Sequence, residues 1–142
     1  MRRILLTVAA LTIPVSAVTL AFGNPASAKT KPETKITCKT LSGTIASIVA
    51  GGCNGNTGGS SEPISGTALA SGGTITWVNG KTTTIAAPTL NTVKNSKCKG
   101  TAETFSATVT HDTTGLTSLG TATGEVCVAS SSITALKPLV TT

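Results

Sequence analysis

A strand–turn–strand signal at residues 72–86 (GGTITWVNGKTTTIA) restricts this chain more than any other feature. Asn79 and Gly80 tolerate positive φ, and the runs on either side are rich in Thr, Ile, Val and Trp, so the stretch is expected to form a β-hairpin. Two registers compete. A two-residue turn pairs Val78 with Lys81 and Trp77 with Thr82, which puts Ile85 on the face opposite Ile75 and Trp77. A three-residue loop, with Gly80 left-handed as a bulge, pairs Trp77 with Lys81 and Ile75 with Thr83. Ile75, Trp77 and Ile85 then share a face. A one-residue slip carries every side chain across the sheet, so the register that gathers the apolar set is favoured. Trp77, the single tryptophan, reads as a core anchor because a buried indole removes so much area from water.

The N-terminus points outward from the cell. Arg2 and Arg3 precede an apolar run from Ile4 to Leu20, and Ala26-Ser27-Ala28 offers a small-residue cleavage site before Lys29. Residues 1–28 are therefore expected to be a secretory signal peptide, and residues 29–35 (KTKPETK) a disordered leader. No later apolar run has the length of a membrane span, so a secreted protein of the extracellular space or cell envelope is expected. Of the 114 residues after Ala28, 26 are threonine, and there is no Tyr in the chain and no Arg beyond Arg3. Such β-branched, glycine-punctuated composition predicts an all-β fold. The formal charge of +6 falls to +4 beyond residue 28, nine lysines against five acids, and Lys29, Lys31, Lys35 and Lys39 concentrate it in a tail. With Arg and stacking aromatics so scarce, nucleic acid is not an expected partner.

Four cysteines in an exported chain imply two disulfides, for which three connectivities exist. Cys98 and Cys127 lie nearly symmetrically about a turn-like cluster, His111-Asp112-Thr113-Thr114-Gly115, so folding the chain there brings them together. Cys38–Cys53 follows by elimination. A straight strand would hold those two roughly 45–50 Å apart against the ~6 Å a bridge spans, so the chain must turn between them, with Ser42-Gly43 or Gly51-Gly52 as corners. Zinc is the alternative for four cysteines, but there is no C-x-x-C pair, and no metal or cofactor is expected.

Along the chain, residues 36–40 and 44–49 read as short strands, and 51–63 (GGCNGNTGGSSEP) as a flexible loop pinned by Cys53. That glycine-rich run has no G-K-[ST] ending for a phosphate. Residues 67–70 read as a weak strand and 89–93 as a short one. Residues 103–110 alternate most cleanly, with Phe105, Ala107 and Val109 on one face and threonines and serine on the other. Residues 116–128 read as a longer strand with bulges at Gly120 and Gly124, and 133–136 as a last strand ended by Pro138. About eight short strands predict a disulfide-stapled antiparallel β-sandwich or closed β-barrel over residues 36–138, with 139–142 as a C-terminal tail.

The catalytic inventory is thin. His111 and Asp112 form the one pairing that resembles chemistry, and Asp at a turn usually caps its own backbone. Glu103 and Glu125 are spaced to face each other across a hairpin as a glycosidase pair would, yet sugar-stacking aromatics are lacking. Repeated T-x-T pairs at 74/76, 82/84, 108/110 and 121/123 fit solvent-facing strands.

The segments TITWVNGKTTTI and ITC-x-x-LSGTI, with Gly52-Cys53, resemble a family of small secreted actinobacterial proteins that have a signal peptide, a Ser/Thr-rich β domain and a W-x-x-G-K-T-S/T hairpin. The resemblance implies export and a β fold and carries over no functional residue. Together these readings predict a non-catalytic extracellular or envelope domain whose partner is a cell-wall polymer or an extracellular protein. The rivals are a secreted hydrolase using His111 with a nearby carboxylate, and a secreted effector that binds a host protein.

Overall fold

The computed structural model describes residues 35–116 and 118–142, so residues 1–28, expected to be a signal peptide, and nearly all of the expected 29–35 leader lie outside the described residues. The central hairpin joins β3 (Gly73–Thr76) to β4 (Thr82–Ile85). Gly80 takes φ +79°, its N–H donates to the Trp77 carbonyl at 2.8 Å, and the Trp77 N–H donates to the Lys81 carbonyl at 2.8 Å. Ile75 pairs with Thr83, which is the bulged register. Ile75, Trp77, Thr83 and Ile85 therefore share a face, and Trp77 is buried, 3% exposed.

The first hairpin joins β1 (Ile36–Thr44) and β2 (Ser47–Cys53). Thr44 pairs with Ser47, so the chain reverses at Ile45 and Ala46 and not at Ser42-Gly43 or Gly51-Gly52. Those glycines remain inside the strands because a two-residue reversal at 45–46 lets pairing continue without interruption from Thr40↔Gly51 to the turn. Cys38 and Cys53 are direct partners in this ladder and are joined by a disulfide.

Further along lie a short helix α1 (Gly66–Ala70), β5 (Thr89–Val93), β6 (Thr101–Asp112), β7 (Thr121–Ala129) and β8 (Ser132–Thr141). Residues 67–70 are thus helical, not a strand. Thr67-Ala-Leu-Ala has no period-2 apolar pattern to hold it in a sheet, and one turn of helix is enough to place Leu69 against the core. The strands follow the order β2-β1-β8-β7-β6-β4-β3, antiparallel throughout, and β5 also pairs with β6. β4 and β5 share one edge of β6, separated by the break at Ala87-Pro88.

This is one curled sheet, a half-barrel, and not two stacked layers. Register shifts between Cys38 and Ser42, Thr84 and Ile85, and Thr123 and Val126 mark bulges that tighten the curl. The sheet's outermost strands, β2 and β3, are then bridged by residues 60–64. Ile64 exchanges backbone bonds with Ile48, the Ser61 N–H reaches the Ala50 carbonyl, and Glu62 and Ser60 bond to Thr76 and Val78. The expected 51–63 loop is therefore partly a strand-like strap. Its turn is fixed by fully buried Thr57, whose hydroxyl donates to the Asn54 carbonyl at 3.1 Å.

The last strand corrects two expectations. β8 runs through Pro138, and Leu139 and Thr141 pair with Cys38 and Ile36, so residues 139–141 are a central part of the sheet and not a tail. Pro138 has no N–H to give the ladder, and it is tolerated because it falls where pairing with both β1 and β7 is interrupted. Gly124 sits at a register shift, as expected, whereas Gly120 lies just before β7, which begins at Thr121.

The inner face holds two apolar clusters, one of Ile36, Cys38, Ala50 and Trp77, the other of Ile85, Ala107, Val109 and Ala122. On the outer face the 94–100 loop is tied down by the Cys98–Cys127 disulfide and covers Ala102 and Cys127. Both bridges close medium loops, of separation 15 and 29. Replacing Cys38 and Cys53 together by Ser is expected to cost about 3 kcal/mol in urea unfolding, because the unfolded chain regains the entropy of that loop. A change below about 1 kcal/mol would show that the β1–β2 ladder holds without the staple.

Candidate functional site

The strands sort the chemistry-bearing side chains onto different faces. His111 and Asp112 are successive residues at the end of β6, opposite Thr84 and Thr83, so they point to opposite sides of the sheet. They belong to the strand and not to a free turn. His111 is exposed. Asp112 points inward and is engaged on both oxygens. Its Oδ1 accepts from the Thr83 hydroxyl at 2.6 Å, while Oδ2 accepts from the Thr114 hydroxyl and N–H at 2.7 and 2.8 Å and from the Gly115 and Leu116 N–H groups. The Thr83 hydroxyl in turn accepts from Trp77 Nε1 at 2.9 Å. Asp112 thus caps the chain reversal and holds the central hairpin through Thr83.

Burial pushes the Asp112 carboxyl up, but the bonds from Thr83, Thr114 and the Leu116 and Gly115 backbone outweigh it and hold the group below its ordinary value.

Glu103 and Glu125 do not face one another. In the β6–β7 ladder Glu103 pairs with Val126 and Thr104 with Glu125, which places the two carboxylates on opposite faces. Glu125 lies outside under the 94–100 loop, with Lys137 Nζ and Asn95 Nδ2 each 2.5 Å from its oxygens. The Lys137 ammonium, then the Asn95 amide, hold its carboxyl below the usual range. Glu103 faces inward beside Phe105. All four cysteines are in disulfides, and among the described residues no three His, Cys, Asp or Glu side chains gather as a metal site. The Thr74 and Thr84 hydroxyls meet at 2.9 Å on the outer face.

What the fold builds is an apolar cavity of about 190 Å³ inside the curl. Every sheet strand contributes to its wall. Buried Trp77, Ile85 and Ala122, half-buried Phe105 and Leu139, Leu69 of α1 and Leu90 of β5 all line it. Leu90 is 49% exposed, so the cavity is open on that side. Among the described residues, Glu103 is the one charged side chain in the wall. Alternation along β6 already placed Phe105, Ala107 and Val109 inward. Glu103 has the same parity, so its inward direction was readable from the sequence, but that the inner face encloses space was not.

No family model matches the chain, and neither curated proteins nor solved structures provide a match.

Thr83→Val keeps the shape of the side chain but strips the acceptor from Trp77 and a donor from Asp112. It is expected to cost roughly 1–3 kcal/mol, read as a lowered urea midpoint with a red-shifted Trp77 emission. Because the folded Asp112 pKa is depressed, its contribution is present above the unfolded pKa and is lost as pH falls through the folded value. The melting temperature of the native protein should therefore fall more steeply below about pH 4 than that of Asp112→Ala, as thermal scans at stepped pH would show. Parallel curves would remove Asp112 as the cause.

Proposed function

We propose that this protein is an exported, non-catalytic binding domain of the extracellular space or cell envelope. The observation that carries the reading is the cavity itself, an apolar hollow held open by a sheet stapled with two disulfides. Binding sites for small molecules are concave, mostly apolar and largely preformed, with few polar groups placed among them. Of the carboxylates that a hydrolase would recruit, Asp112 caps its turn, Glu125 pairs with Lys137, and Glu103 lies on the inner face, across the sheet from exposed His111. Disulfides fit an oxidising compartment, as does the apolar segment with its A-S-A site at the N-terminus. The resemblance to small secreted actinobacterial proteins points the same way.

Cosedimentation of the oxidised protein with cell-envelope material from its source organism tests the assignment. Saturable binding that disappears on reduction is the expected result, since reduction frees both staples of the sheet. Absence of saturable binding would count against an envelope role, and hydrolysis of envelope material that is lost in His111→Ala would overturn the non-catalytic reading.

A further inference from the structure

We infer that the cavity is a binding site for a small organic cation, one aromatic ring or short alkyl chain lying inside the curl and an ammonium head held against Glu103. The inference deepens the reading of the protein as a binding domain and rests on it.

Size sets the first limit. A cavity of about 150 Å³ lined by Leu, Ile and Phe stays dry and accepts benzene, so about 190 Å³ suits a single ring or a chain of similar bulk and is too small for a long acyl tail.

The wall sets the second limit. Gly124 lies opposite Phe105 in the ladder, and a Cβ there would come within 2.6 Å of the Phe105 ring. The ring therefore rests on bare backbone, and the space inside the curl depends on position 124 carrying no side chain. Phe105 and Trp77 both offer aromatic surface to the cavity, which favours a cation among apolar guests.

Charge sets the third. Asp112 and Glu125 are saturated by hydrogen bonds or an ion pair, but Glu103 has no side-chain partner among the described residues. It is half-buried in an otherwise apolar wall, two residues from Phe105 on the same face. A cationic guest would supply the ion-pair partner that the described residues do not give this carboxylate. An anionic guest would meet repulsion, and a neutral one would leave the carboxylate unpaired.

Trp77 is the single tryptophan in a chain without tyrosine, so its fluorescence reports on the cavity directly. The experiment is titration of the oxidised protein with three probes that share one tail, n-hexylamine, hexan-1-ol and hexanoate, followed by Trp77 emission and by calorimetry. Hexylammonium is expected to bind saturably and about tenfold more tightly than hexanol, with hexanoate weakest. Glu103→Gln, which is nearly isosteric, should bring hexylamine to the level of hexanol. Gly124→Leu should abolish binding of all three by driving a side chain into the Phe105 ring. Equal affinity for the three probes on the native protein would overturn the assignment of Glu103. Lack of saturable binding by any of them at about millimolar concentration would overturn the cavity as a site. These titrations use purified protein without envelope material, so they can fail while cosedimentation succeeds, and the reverse.

Discussion

The hydrogen-bonded line from the Trp77 indole through the Thr83 hydroxyl to the Asp112 carboxylate ties together the parts that the rest of the sheet is built on. Trp77 belongs to the end of the central hairpin, Thr83 to its returning strand, and Asp112 to the end of β6, the longest strand. A buried indole needs an acceptor for its N–H, and a buried threonine needs partners for its hydroxyl. Each satisfies the other only in the bulged register, where Trp77 and Thr83 share a face. The apolar grouping and the polar pairing therefore select the same register, which is the kind of agreement between levels that lets one sequence specify one structure.

From that register the curl follows. β4 is held to β6 at one end of its long edge and β5 at the other, and the break at Ala87-Pro88 lets a single stretch of chain serve as both. On the far side, the Cys38–Cys53 bridge pins β2 to β1, and β8 enters between β1 and β7 as the last piece of chain to pair. The strap at residues 60–64 then gives β2 and β3 partners for part of their outer edges. Exposed strand edges invite pairing with other chains, and the strap shields the two that terminate the sheet. The helix and β5 stop short of covering the inside, so an apolar surface that a larger domain would fill with core remains as a cavity.

The two faces of β6 and β7 do different work. The outer one carries a small closed core of Ala102 and Cys127 under the 94–100 loop, with Glu125 neutralised by Lys137 beside it. The inner one carries Phe105 lying over Gly124 and a carboxylate left without a side-chain partner among the described residues. Two acids that look equivalent along the chain thus have unlike roles, one structural and one available.

What the sequence determined by itself lies in its local chemistry. Asn79-Gly80 between β-branched runs specified the hairpin and, with Ile75, Trp77 and Ile85, its register. Strict alternation showed the inward face of β6. The threonine-rich, glycine-punctuated composition specified an all-β chain, and its four cysteines specified two disulfides. Tertiary structure decided what depends on non-local pairing. Whether eight strands stack as a sandwich or curl as a half-barrel turns on where bulges fall and on which edges the 60–64 strap can reach, and neither leaves a periodic signal. Pro138 lies within a strand because both of its neighbours break register there. Residues 67–70 are helical with Leu69 packed against the Ile85, Ala107, Val109 and Ala122 cluster, a surface that exists only once the sheet has formed. Glu103 and Glu125 were separated by a one-residue difference in register parity, and only paired strands define what lies on either side of them.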